Sequence, residues 1–182
     1  MKTRVKELLR VAVLCFIQII LALISFRLKS ALVPFSLSLV AVFICGALLD
    51  PRDALLSQML YITLGIAGLP IFARFGRGVG AIAGIGGGFI ISYPFAALFI
   101  SLIKNKLKFK KPWNASFCAM AMSLVIVYLI GGIWMVHMYG FEIGDYIVLS
   151  VLPFVFFDLI KAAAASSLLP LLKKIKIMNI EE

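Results

Sequence analysis

The sequence predicts an all-α, polytopic membrane protein, a single bundle of six transmembrane helices formed by the whole of residues 1–182. Composition is the first observation behind this. Hydrophobic residues make up 63% of the chain and charged ones 14%, against about half and about a quarter in soluble domains. Mean hydropathy is the second, at +1.11. The third is order: the apolar residues form six long runs, and the charges and turn residues lie in the breaks between them. Segments solvated by lipid have that pattern, and the amphipathic helices of a soluble core do not.

In chain order, the first run covers 9–26. It is longer than the apolar core of a signal peptide and has no small-residue cleavage site, so it reads as the first span. Runs 34–49 and 54–69 flank Asp50-Pro51-Arg52-Asp53 and are shorter than the roughly 20 residues a span needs. They are tilted spans or a re-entrant hairpin, and either choice leaves the two termini on the same side. Runs 81–103, 113–138 and 146–172 complete the six. Pro34, Pro51, Pro70, Pro112 and Pro170 fall near run ends, where a missing N–H is tolerated, whereas Pro94 and Pro153 are expected to kink their helices.

The net charge of +10 raises the question of a nucleic-acid partner, and its placement answers no. Thirteen of the 18 Lys and Arg residues lie in alternate breaks: Lys2, Arg4, Lys6 and Arg10; Arg52; Lys104, Lys106, Lys108, Lys110 and Lys111; Lys173, Lys174 and Lys176. The other breaks hold Arg27, Lys29, Arg74 and Arg77, and Lys161 lies inside the last run. The positive-inside rule therefore predicts a multi-pass plasma-membrane protein whose termini and lysine-rich loop are cytoplasmic, with the lipid bilayer as its surroundings.

Few side chains here carry chemistry. Cys15, Cys45 and Cys118 sit singly in apolar runs, and one histidine, His137, does not make a metal set, so no metal or cofactor is expected. No P-loop, HExxH or GxSxG occurs, so no catalytic residues are assigned and any energy for uphill transport must come from another subunit or an ion gradient. Gly78-Val79-Gly80-Ala81-Ile82-Ala83 imitates a dinucleotide fingerprint without the strand that motif requires.

Asp158 and Lys161 are the strongest local signal. Ionisable groups inside a span are costly, and a spacing of three puts them on one helix face. They form either a ligand-binding pair or a self-neutralising one. The glycine-rich stretch 74–88 is the second signal: Gly80, Gly84 and Gly88 make a smooth ridge for close helix packing, or the loop also caps a pocket. Arg74 and Arg77 in that loop are placed to attract an anionic solute or are ordinary surface charge, the second reading being favoured for Arg74. Trp134, His137, Tyr139 and Glu142 cluster at the end of the fifth run, where Trp and Tyr read as interfacial anchors.

Over about 33–165 the chain resembles the BioY family, the biotin-capturing S component of energy-coupling-factor (ECF) vitamin transporters. The resemblance lies in Val33-Pro34-Phe35-Ser36-Leu37, Asp50-Pro51-Arg52, Gly68-Leu69-Pro70-Ile71-Phe72-Ala73 with the glycine loop after it, and Leu152-Pro153-Phe154 followed by Asp158-Leu159-Ile160-Lys161. It implies a six-helix, non-enzymatic binding subunit with an outward-facing pocket, biotin as transported ligand, and as partners an ECF transmembrane coupling protein and two cytoplasmic ATPase subunits. Asp158 and Lys161 match the acidic and basic positions of the family's last-helix motif. Arg77 is then expected at the ligand carboxylate, with Phe35, Phe72 and Tyr93 against its ring and tail, and Ser36 as a polar contact. Family members commonly have Thr and Gln where this chain has Ser36 and Ser38, and Gly-Pro-Thr-Gly-Gly-Tyr where it reads Gly84-Ile85-Gly86-Gly87-Gly88-Phe89. The docking pattern on the first helix is imperfect too, with Phe16 four residues after Ala12. Those departures motivate an alternative ligand, another small carboxylate such as lipoate or dethiobiotin. A third reading, a membrane-embedded enzyme, needs Asp158 as general base and His137 near it.

Overall fold

A backbone without water must satisfy its own hydrogen bonds, and this sequence does so almost entirely with helices. The computed structural model of the protein describes residues 2–26, 32–107, 109 and 112–174. Of the charges used to orient the chain, Arg27, Lys29, Lys108, Lys110, Lys111 and Lys176 lie outside the described residues. The long helices are α1 (Lys2–Leu23), α2 (Ser38–Leu48), α3 (Pro51–Ile66), α5 (Gly87–Ile103), α6 (Pro112–Tyr139) and α7 (Ile143–Leu172), with a short α4 (Gly78–Ala83) before α5. Helices α6 and α7 are each long and apolar enough to cross a bilayer, and α2 and α5 are shorter apolar helices.

Burial is inverted relative to a soluble protein. Phe16, Ile20, Met122, Val125, Leu129, Ile133, Phe156 and Ile160 face outward, while Gln18, Ser57, Gln58, Ser92, Ser123, Asp158 and Lys161 are buried. A bilayer wets such an outer face without cost; inside, Ser57, Ser92, Ser123, Asp158 and Lys161 reach partners, whereas the buried side-chain amides of Gln18 and Gln58 reach none among the described residues.

Helix α2 is the axis of the bundle. It has 11 residues, ten of them buried, and packs against α1, α5 and α7. At about 1.5 Å per residue it is too short to span alone. Its apolar character on every side reflects burial on every side. Helix α5 approaches it closely: a Cβ on Gly46 would lie 2.7 Å from the Ala97 carbonyl oxygen. The last carbonyls of α2 are taken by one ammonium, Lys104 Nζ, which donates to Ala47 O at 2.8 Å, Leu49 O at 2.9 Å and Gly46 O at 3.1 Å. A cation at a helix C-terminus both fills those orphan acceptors and opposes the helix dipole.

The start of α1 and the end of α7 share one end of the bundle. Arg4 lines a cleft with Asp50 and Arg52, and Asp50 lines its neighbour with Lys104 and Lys173. We call this the lysine end and the opposite one the loop end.

Three local features differ from the sequence reading. Residues Ser25–Phe26 (β1) pair antiparallel with Phe35–Ser36 (β2), in register Ser25↔Ser36 and Phe26↔Phe35. Two-residue strands are too short to leave an alternating pattern. The glycine ridge does not form as one: α4 ends before Gly84, α5 begins at Gly87, and a Cβ on Gly80 would meet nothing within 4 Å. Only Gly88 serves close packing, because its Cβ would fall inside the Trp134 side chain of α6. Before Pro153, the turn of α7 over Ile147–Val151 is π-helical. Proline has no N–H for the regular i→i−4 bond, and the wider turn accommodates the break.

Candidate functional site

Along α7, Phe154, Asp158, Lys161, Ala162, Ala165 and Leu169 recur every three or four residues and form its buried face. Asp158 and Lys161 thus enter the bundle at mid-depth, 5% and 7% exposed. Lys161 Nζ donates to Asp158 Oδ1 at 2.8 Å. The other carboxylate oxygen, Oδ2, accepts from the Tyr128 hydroxyl of α6 at 2.6 Å. The Tyr146 hydroxyl in turn donates to the Tyr128 carbonyl oxygen at 2.5 Å, tying α6 to the start of α7 at that level. On its open face Lys161 Nζ stands 3.9 Å from the centroid of the Phe35 ring. Phe35 also packs against Phe26, Phe154 and Phe157, with centroids 4.8, 6.3 and 5.7 Å away. The β1–β2 pairing is what holds it there.

Asp158, Lys161, Tyr128, Phe35 and Phe154 line an inner chamber of ≈ 60 Å³, together with Val33, Pro34, Leu39, Phe89, Val127 and Ser150. Its apolar lining with a few convergent polar groups is how sites for small organic ligands are built. The opposite wall carries a chain of hydroxyls: Ser36 Oγ is 2.6 Å from Ser38 Oγ, which is 2.9 Å from Tyr93 Oη. Ser36, Tyr93, Phe89, Val33 and Pro34 also line an outer cleft of ≈ 420 Å³ at the loop end, so the two spaces share a wall.

The outer cleft is bounded by Phe72, Arg74 and the glycine loop. Phe72 is buried edge-on to Tyr61, with centroids 5.3 Å apart, and lies on Gly65, where a Cβ would overlap its ring. Its N–H donates to the Gly76 carbonyl oxygen at 3.1 Å, closing a tight loop. The end of α4 is pinned to α6: Tyr139 Oη donates to Ala83 O at 2.6 Å and Trp134 Nε1 to Gly84 O at 3.1 Å. Trp134 and Tyr139 therefore have structural partners beyond the interfacial anchoring expected of them.

Of the residues singled out in the sequence, Asp158, Lys161 and Phe35 meet in the inner chamber, Ser36 and Tyr93 line both spaces, and Phe72 lines the outer one. Arg77, at the N-terminus of α4, is exposed and lines neither space; Arg74, also exposed, borders the outer one. His137 is likewise exposed and lines neither space, so it is not beside Asp158 as the enzyme reading requires. Tyr128 was missed. Its signal was a single phenol inside an otherwise apolar run, since a buried tyrosine hydroxyl usually has a partner.

The BioY family profile matches residues 1–177. The chain belongs to the BioY family. Over 133 residues it is 35% identical to the probable biotin transporter BioY of Pyrococcus horikoshii, covering 73% of this chain and 76% of that protein. Over 145 residues it is 32% identical to the biotin transporter BioY of Thermotoga maritima, covering 80% and 83%. The crystal structure of the S-component for biotin from an ECF-type ABC transporter matches it with a TM-score of 0.85 at 25% identity, over 95% of this chain and 93% of that one. This BioY-family chain therefore has the S-component fold expected of it, and it is a membrane protein.

Proposed function

We propose that this chain is the ligand-capturing membrane subunit of a biotin uptake transporter. The observation that carries the reading is the buried Asp158–Lys161–Tyr128 cluster, set in an apolar chamber beside an outer cleft at the loop end. Each Asp158 oxygen already accepts one hydrogen bond and has acceptor capacity left for a ureido N–H. Lys161 Nζ has donors left for the ureido carbonyl. Phe35, Phe89 and Phe154 supply apolar walls for a fused bicyclic ring, and an aliphatic tail runs past Tyr93 and Ser36 towards Phe72. A lipoate head has no N–H to offer Asp158, so this geometry favours a ureido ligand. Dethiobiotin keeps the ureido group, and the short Ser36 and Ser38 side chains favour it as the second reading.

The subunit works with an ECF transmembrane coupling protein and two ATPase subunits, with its lysine end in the cytoplasm and its loop end outside. The thirteen basic residues in alternate breaks support that orientation. The direct test is titration of the purified protein with biotin, dethiobiotin and lipoate. Biotin is expected to bind tightest and lipoate weakest, and Lys161→Ala and Asp158→Ala to weaken biotin by about 100-fold or more while Lys106→Ala does not, because only the first two leave a buried charge unpaired. A folded protein that binds none of the three ligands sinks the assignment.

A further inference from the structure

The lysine end of the bundle carries a groove that ligand capture does not use. The cleft holding Asp50, Lys104 and Lys173 has a volume of ≈ 340 Å³. It shares Ser116 and Lys173 with a notch of ≈ 200 Å³ between the start of α6 and the end of α7, so the two are continuous. The walls of the notch are apolar, from Trp113, Leu169 and Pro170, and its charge is Lys173. Asp50 lies on the inner cleft with Lys104, whose ammonium is already held by three carbonyls of α2, and no acidic residue lines the notch. Lys173 pairs with no carboxylate among the described residues. Where the notch opens decides what covers it. Trp113 is 45% exposed, and Leu168 and Leu171 of α7 face outward beside Pro170, so the surroundings are lipid rather than water. A tryptophan next to the charged end of a span marks the level of the headgroups.

We propose that this groove is a binding site for one phospholipid with an anionic headgroup, drawn from the leaflet at the lysine end, with its phosphate on Lys173 and an acyl chain along Trp113, Leu169 and Pro170. The two halves of such a lipid match the two halves of the site. An ammonium offers three donors to phosphate oxygens, and the indole N–H of Trp113 adds one from α6. Pro170 loses no side-chain freedom when a chain packs on it. Charge selects the headgroup. A zwitterionic lipid brings its own cation towards Lys173 and Lys104, at an end of the chain where the break 104–111 holds five lysines, whereas phosphatidylglycerol brings none. The groove lies at the opposite end of α2 from the ligand spaces: Ser38 borders the outer cleft, and Ala47 and Leu48 border the groove. The lipid site therefore does not depend on which ligand the inner chamber takes.

Native mass spectrometry of the purified protein, in micelles containing equal amounts of dioleoylphosphatidylglycerol and dioleoylphosphatidylcholine, reads which lipid stays bound. One phosphatidylglycerol per chain is expected to be retained, at least about fivefold over phosphatidylcholine. Lys173→Gln is expected to weaken that retention about fivefold, the effect of one basic residue at a membrane surface, while binding biotin as the unsubstituted protein does. Lys106→Gln removes the same charge from the same end but outside the groove, and is expected to retain the lipid unchanged. A photocrosslinker in place of Trp113 is expected to label phospholipid in whole membranes. Equal retention of the two lipids, an equal loss in Lys106→Gln and Lys173→Gln, or labelling of a polypeptide in place of lipid overturns the site. Each of those results leaves the biotin titration as it was, so the lipid site and the biotin reading fail separately.

Discussion

The Asp158–Lys161 pair permits a test that separates what holds the fold from what holds a ligand. At 2.8 Å, with an effective dielectric near 20, the two charges attract by about 6 kcal/mol, and most of that offsets the cost of taking them out of water. Removing one partner is therefore far worse than removing both. Lys161→Met leaves a buried carboxylate supported only by the Tyr128 hydroxyl, and ends the ammonium–ring contact with Phe35. Breaking a buried pair costs about 3–5 kcal/mol, and the surviving hydrogen bond keeps this case near the lower end. Asp158→Asn leaves an ammonium with only an aromatic face and a neutral amide beside it, and costs a similar amount. In the double variant no unpaired charge remains, and the stability is expected within about 1 kcal/mol of the original, an interaction of roughly 5 kcal/mol between the two sites. Equilibrium unfolding in mixed micelles without ligand measures all four proteins, and biotin titration measures whether any variant binds. Binding is expected to be lost in all three. If the double variant is instead as unstable as the two singles added together, the charges are not an interacting buried pair. If it recovers biotin binding along with stability, the pair is structural and the site lies elsewhere.

Two narrower outcomes follow from the same contacts. Tyr128→Phe keeps the ring and removes the hydroxyl that fixes Asp158 Oδ2; a hydrogen bond to a charged group contributes about 1.5–3 kcal/mol, so biotin affinity should fall about tenfold or more with the helical circular dichroism unchanged, and unchanged affinity would remove Tyr128 from the site. Gly88→Ala puts a Cβ into Trp134 and 3.1 Å from Gly131 Cα, which should force α5 and α6 apart at about 1–3 kcal/mol of stability and, through the Trp134–Gly84 bond, weaken binding; equal thermal midpoints for the two proteins would show the helices are not in contact there.

Lipid supplies no hydrogen bonds, so long apolar runs must be helices and their breaks must carry the charge. That constraint is strong enough for composition and order to predict the helical bundle. It says nothing of depth or partner, which explains the reach of the sequence reading. The i,i+3 spacing put Asp158 and Lys161 on one face, whereas the Tyr128 contact joins residues 30 apart on different helices and has no periodic trace. Phe35 was found through a short motif, yet its place over Lys161 depends on a two-residue strand pair that no alternation announces. The arginines show the limit most clearly. Arg74 and Arg77 share a loop, a charge and a side-chain chemistry, and the family resemblance put Arg77 first. Both are exposed, and only the backbone separates them: Arg77 is extended before α4 and borders neither space, while Arg74 sits in a left-handed turn beside the outer cleft. A conformation that costs stability leaves no preference in composition or hydropathy from which it could be read.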